Sequence, residues 1–154
     1  MRRKRRVKNE SELRNYIGNI LRENANNRFR IVPEEELADG KKVDLRFDGV
    51  KFDGPVPCEL KIAENWTGPK LFERLENQLC GDYLRDNRSM RGIYILIFIG
   101  SGKKARWRNP SNNKLVDFQE LTVALQEYWH EISASFLKVE DITVIGIDLT
   151  KRST

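Results

Sequence analysis

VDLRF (residues 43–47) and VPCELKI (residues 56–62) decide how this chain is read. In the first, Val43, Leu45 and Phe47 alternate with Asp44 and Arg46. In the second, Val56, Cys58, Leu60 and Ile62 alternate with Glu59 and Lys61. Successive side chains of a strand point to opposite faces, so a period of two separates an apolar face from a charged one. Both stretches are therefore expected to be strands joined by a Gly-rich turn. Glu59 and Lys61 stand on one side, roughly 7 Å apart along the strand. With the apolar faces turned to one core, Asp44 joins them there. The competing view is ordinary: Glu and Lys two apart often decorate a solvated strand face.

The surroundings strengthen the first view. Upstream, Asn9 is placed to cap a helix whose Leu13, Tyr16, Ile17, Ile20 and Leu21 keep helical spacing. Glu10 lies three before Leu13 and seven before Ile17, on the inward stripe, whereas Glu12 sits at its edge. An acid in a first turn also suits the helix dipole without further role. The helix should fade in the Asn-rich stretch 24–27, and Phe29–Val32 reads as a short strand. Downstream, a loop with Trp66 and Gly68 precedes a helix that opens at Pro69 and runs to about Asp86. It turns Leu71, Phe72, Leu75 and Leu79 inward, with Arg74, Gln78 and Arg85 as a polar stripe. IYILIFI (93–99) is continuously apolar, the mark of a central strand covered on both faces.

GSGKKARWR (100–108) reads as a loop with Lys103, Lys104, Arg106 and Arg108 around Trp107, a pattern suited to phosphates and base faces. A solvated loop fits it equally well. It is not a phosphate-cradling P-loop, because the upstream Gly and the following Ser/Thr are missing. Asp117 caps a last helix with Leu121, Ala124, Leu125, Tyr128, Trp129 and Ile132, and ITVIGIDL (142–149) closes the chain as a strand. His130, the single histidine, lies beside that stripe and is expected to pack or face water. The order of elements implies an α/β fold, a mixed sheet with helices on both faces and a C-terminal helix and strand.

At 154 residues the chain suits one domain, here residues 9–150 behind an arm at 1–8. That arm holds Arg2, Arg3, Lys4, Arg5, Arg6 and Lys8. Without those six, 22 basic residues face 23 acidic ones, so the overall +5 becomes −1. The basicity belongs to the arm, which suits either nucleic-acid attraction by counterion release or a linker within a larger protein or complex. No apolar run reaches the roughly 18 residues of a membrane span, and no signal-type segment follows the charged start. Cys58 and Cys80 lack metal-type spacing, which favours buried free thiols and a reducing, cytoplasmic setting.

Two carboxylates sharing a site need a cation between them, and oxygen-only ligands suit Mg²⁺ or Mn²⁺. Asp44 and Glu59 are the expected ligands. Such an ion activates water and neutralises phosphoryl charge, and Lys61 would orient that water or stabilise the developing charge. A strand Asp, then Glu-x-Lys on the next strand, then helix and strand, resembles the PD-(D/E)XK nuclease superfamily, with VDL at Asp44 and ELK at Glu59–Lys61. The resemblance covers about residues 10–99. It implies a restriction-endonuclease-like core and a Mg²⁺-dependent deoxyribonuclease acting on DNA. ESEL (10–13), GKKVDL and CELK are similar to stretches of archaeal Holliday-junction resolvases, which implies Glu10 as the helix-one carboxylate and, as an alternative function within the fold, a homodimeric structure-specific endonuclease of that resolvase kind. NQLCGDYL resembles the Gln-and-Tyr helix of RecB-like and several restriction or defence nucleases. The family spacing is four, whereas Gln78 and Tyr83 are five apart, about 140° on a straight α-helix. Gln78 is therefore the expected site residue of the two. A non-catalytic DNA-binding module with the same fold is the alternative from another class.

Overall fold

In the computed structural model, residues 10–33, 45–49, 51, 54–83, 90–100, 102 and 104–151 are described. The apolar run expected to be central becomes β4 (Arg91–Phe98), and both its faces are covered. Tyr94 and Leu96 enter one core, while Ile95 and Ile97 enter another on the opposite side. A strand wrapped on both faces needs apolar residues at every position, which is why this stretch shows no alternation.

Around it lies a five-stranded mixed sheet. Its strands are β1 (Arg30–Pro33), β2 (Leu45–Asp48), β3 (Val56–Ile62), β4 and β7 (Asp141–Asp148), in that spatial order. The first three form an antiparallel meander, with Leu45 opposite Cys58. β3–β4 and β4–β7 are parallel, and Glu59 stands beside Tyr94 and Lys61 beside Leu96. The C-terminal helix and strand thus extend the sheet, as expected.

Helix α1 (Glu10–Glu23) covers one face. Leu13 is buried there with Leu45, Phe47, Cys58, Leu60 and Ile62, and Ile17 and Leu21 pack beside them. Tyr16 and Ile20 are instead exposed, at 60% and 41%. The inward stripe is narrower than the apolar spacing suggested, because positions 16 and 20 fall on the helix's outer side. The helix ends as expected in the Asn-rich turn, where Asn26 and Asn27 take positive φ of 50° and 61°. Asn and Asp tolerate this left-handed region better than most residues.

The opposite face carries α2 (Gly68–Arg74), a π-helical segment (Leu75–Tyr83) that continues it, and α3 (Phe118–Ile132). Leu71, Phe72, Leu75 and Leu79 are all buried, as their spacing required. Asp117 caps α3 in a full capping box with Glu120. A hairpin of β5 (Trp107–Asn109) and β6 (Lys114–Val116) lies where the sequence suggested only a loop. Trp107 is 1% exposed, and its indole N–H donates to the Ala63 carbonyl at 2.9 Å. It is a core residue and has no face to offer a base. Among the described residues, no helix is long and apolar enough to cross a membrane.

Candidate functional site

Strand β3 presents a different neighbourhood on each side. Cys58, Leu60 and Ile62 enter the α1-side core. Glu59 and Lys61 point the other way, toward the α2 side, yet they are no solvated face: their exposures are 3% and 4%. The Lys61 ammonium reaches back along the strand to Glu59 Oε1 at 2.8 Å. Among the described residues, Glu59 and Lys61 are the buried charged side chains. Burying two charges costs several kcal/mol each, which their mutual attraction offsets only with good geometry. The period of two therefore placed this pair correctly, and the solvated-face view fails for it.

A second group surrounds Lys61. After β3 the chain makes a short 3₁₀ turn (Ala63–Asn65) that delivers Trp66. The Lys61 ammonium lies over the Trp66 ring, 4.4 Å from its centroid, and the Arg74 guanidinium is 5.8 Å from the same centroid. Both distances fall within cation–π range. Lys104 donates its ammonium to the Trp66 carbonyl at 2.7 Å. This connection is pinned from other sides too. Glu64 accepts from the backbone N–H groups of Ile99 and Gly100, at 3.0 and 2.7 Å at the closest, and Ala63 accepts from Trp107. Glu64 is an acid close to Lys61 in sequence, but its oxygens hold the end of β4.

Thr67 then caps α2, its hydroxyl accepting from the Lys70 N–H at 3.3 Å, with Pro69 in the first turn. Arg74 closes α2, and Gln78 lies half-buried in the π segment. π winding closes i to i+5 hydrogen bonds, so backbone positions five apart lie nearly one above the other. Positions 78 and 83 are five apart. The angular objection to that spacing, drawn from a straight α-helix, does not apply to the helix this chain forms. π segments are rare and recur at functional sites.

The remaining site residues fall as follows. Asp44 and Lys103 lie outside the described residues. Glu10 opens α1, and its side chain is likewise outside the description. Glu12 is exposed. Arg106 is exposed, while Arg108 donates to the carbonyl of Asn113 at 2.7 Å across the hairpin. Among the described residues of that basic stretch, Lys104 meets the β3 group. Trp66 and Arg74 have contacts that neither composition nor strand periodicity assigns. The available signal was an aromatic residue in the short connection directly after the lysine-bearing strand.

The thiols behave as the sequence suggested: Cys58 and Cys80 are buried and not joined in a disulfide. Burial, reinforced by the negative charge of Glu76, pushes the Cys80 thiol up to about 12. It is held protonated and unreactive. Nearby, burial and a hydrogen bond to Glu76 raise the Tyr128 phenol to about 12 as well. His130 is exposed on α3. Among the described residues, no three His, Cys, Asp or Glu side chains gather as a metal-holding group.

Comparisons with protein-family models, with curated proteins and with solved structures found no match for this chain.

Proposed function

We propose that this chain is a metal-dependent deoxyribonuclease of the PD-(D/E)XK, restriction-endonuclease-like class, hydrolysing DNA phosphodiesters with Mg²⁺ or Mn²⁺. The observation that carries the reading is the buried Glu59–Lys61 pair, set on one face of a strand between an antiparallel and a parallel neighbour. Support also comes from the order helix, three-stranded meander, helix, parallel strand, and from the π segment that bears Gln78.

The donor chemistry fits a hard divalent ion. Glu59 is a carboxylate kept out of water and already drawing a cation to itself, and oxygen ligands are what Mg²⁺ requires. Leu45 faces Cys58 across the meander, and the residues next along the chain from that pair are Asp44 and Glu59. Those two acids would hold the ion, with Glu10 assisting it or its waters. When bound, the ion lowers the pKa of water and neutralises charge on a phosphoryl oxygen. Lys61 supplies the fixed positive charge where negative charge develops on the phosphate. Gln78 orients groups at the same point through its amide.

A second reading, a DNA-binding module without cleavage, draws on the same contact, because an ammonium already neutralises Glu59. Nicking of supercoiled plasmid with Mg²⁺, with Mn²⁺ and with EDTA separates the two. We expect metal-dependent nicking, reduced about 100-fold or more in folded Lys61→Met and Glu59→Gln proteins. A folded Lys61→Met protein that nicks at the wild-type rate would remove Lys61 from the mechanism. Wild-type protein that binds DNA but never cuts it leaves the binding module.

A further inference from the structure

We infer that Arg74 and the Trp66 ring form a phosphate-binding subsite that holds the DNA backbone beside the Glu59–Lys61 pair. The inference deepens the nuclease reading and rests on it for the identity of the ligand as DNA. Its starting point is the state of Arg74. This side chain is half-buried, its Nε is shut off from water, and nothing among the described residues accepts a hydrogen bond from that atom. Arg46, Arg28 and Arg108 differ, donating to Asp48, to the Ala25 carbonyl and to Asn113. Buried polar groups are nearly always satisfied, so a sheltered donor without an acceptor points to a partner from outside the chain.

The surroundings define that partner's charge. Trp66 collects the Lys61 ammonium and the Arg74 guanidinium at its ring, and the Lys104 ammonium at its carbonyl. Three cations on one residue repel one another, and an anion placed among them relieves that repulsion. Two possible local counter-charges are committed elsewhere, Glu59 to Lys61 and Glu64 to the amides of Ile99 and Gly100. A guanidinium presents its donors in a planar fork that matches phosphate oxygens two at a time. The Trp66 ring lies within cation–π range of that guanidinium, 5.8 Å from its centroid. A strand bound here by Arg74 passes directly beside Lys61, which is the placement hydrolysis needs.

The test measures binding apart from cleavage. Fluorescence anisotropy of a short fluorescein-labelled DNA duplex is followed in EDTA across a KCl series, for wild type, Arg74→Gln and Arg74→Lys. Arg74→Gln should weaken binding roughly tenfold and lower the slope of log affinity against log salt by about one. Arg74→Lys keeps the charge and loses the fork, so its slope should match wild type while its affinity falls several-fold. An Arg74→Gln isotherm with wild-type affinity and slope overturns the subsite, as does a wild-type protein that fails to bind the duplex at the lowest salt. Should Arg74→Gln not fold, an Arg74→Lys protein with undiminished affinity overturns it instead. Plasmid nicking scored in parallel keeps the two conclusions apart. Cleavage with an Arg74-independent isotherm sinks the subsite alone, whereas Arg74-dependent binding without cleavage sinks the nuclease reading alone.

Discussion

Two ion pairs of this chain join the same kinds of charge in opposite surroundings. Lys61 and Glu59 meet at 2.8 Å with side chains 5% and 4% exposed. Arg91 and Glu140 meet at 3.1 Å with side chains 62% and 55% exposed, at the start of β4. The distances differ little, and the energetics differ greatly. An exposed pair exchanges water for a partner at almost no net gain. A buried pair sacrifices the hydration of both charges, and apolar residues of similar size in its place would often be no less stable. β3 already has an apolar face on its other side, so this chain builds apolar strand faces readily. A pair retained at such cost is better explained by what it does than by what it holds together.

The sharpest way to break that contrast is to remove one partner at a time and then both. Lys61→Ala leaves Glu59 as an uncompensated buried charge, and Glu59→Ala leaves Lys61 so. Each should cost about 3–5 kcal/mol in chemical unfolding. The double replacement Glu59→Leu with Lys61→Met should recover most of that loss, or exceed wild-type stability, while remaining inactive on DNA. Singles that lose less than about 1 kcal/mol would mean the pair is solvated in practice. A double as unstable as either single would make it a structural bridge, and the functional argument would lose its main support.

Next in size is Gly68, which tests whether the platform around the pair is rigid. A Cβ built on Gly68 would stand 1.9 Å from the backbone oxygen of Arg108. Backbone cannot swing aside as a side chain can, so Gly68→Ala must separate the start of α2 from the β5–β6 hairpin. We expect about 1–3 kcal/mol or more of destabilisation in thermal melts. A loss of nicking larger than that unfolding explains should accompany it, because α2 carries Arg74. A melting temperature equal to wild type would show that this junction gives way without cost.

These tests bear on residues of uneven legibility in the sequence. VPCELKI was legible in its extent and in which side chains share a face, because alternation marks a strand, but the burial of its charged face was not. IYILIFI and the Asp117 cap were equally plain, since their signals are local. The α1 stripe was overread at Tyr16 and Ile20, because spacing alone does not say how wide a face the sheet covers. The hairpin around Trp107 was missed. Its burial depends on the Ala63 carbonyl, 44 residues away in the chain, and no local pattern carries that information. The same holds for the Lys61–Trp66–Arg74 group, which exists only once the helical segment after Trp66 packs back against the sheet. The π winding at Gln78 was likewise invisible, since its sequence reads as an ordinary helix. The candidate site was thus legible where it lies on one strand and hidden where it is assembled from several elements.

A smaller effect is expected at Asp117, an exposed charge with an ordinary task. Its carboxylate accepts from the Glu120 N–H at 2.8 Å and completes the capping box of α3. Asp117→Ala should cost about 1 kcal/mol in urea unfolding, as such caps do, and leave DNA binding in EDTA unchanged. A cost near that of Lys61→Ala would show that exposure is a poor guide to what a charge contributes here.

The smallest effect belongs to Arg91 and Glu140, and it is the direct counterpart of the first. The guanidinium places both Nε and one terminal nitrogen 3.1 Å from the same Glu140 oxygen, so the geometry is good and only the solvent differs. A double-mutant cycle with Arg91→Ala and Glu140→Ala should give a coupling of about 0.2–1 kcal/mol at low salt. It should fall toward zero near about 1 M salt, where the screening length is only about 3 Å. The Lys61–Glu59 cycle should keep its coupling under the same salt, because ions do not enter the space between the two buried groups. If both couplings collapsed together, Glu59 and Lys61 would be reached by solvent after all, and the inference from burial to function would have to be withdrawn. If the exposed pair instead held several kcal/mol, geometry and not burial would set the worth of a pair in this fold.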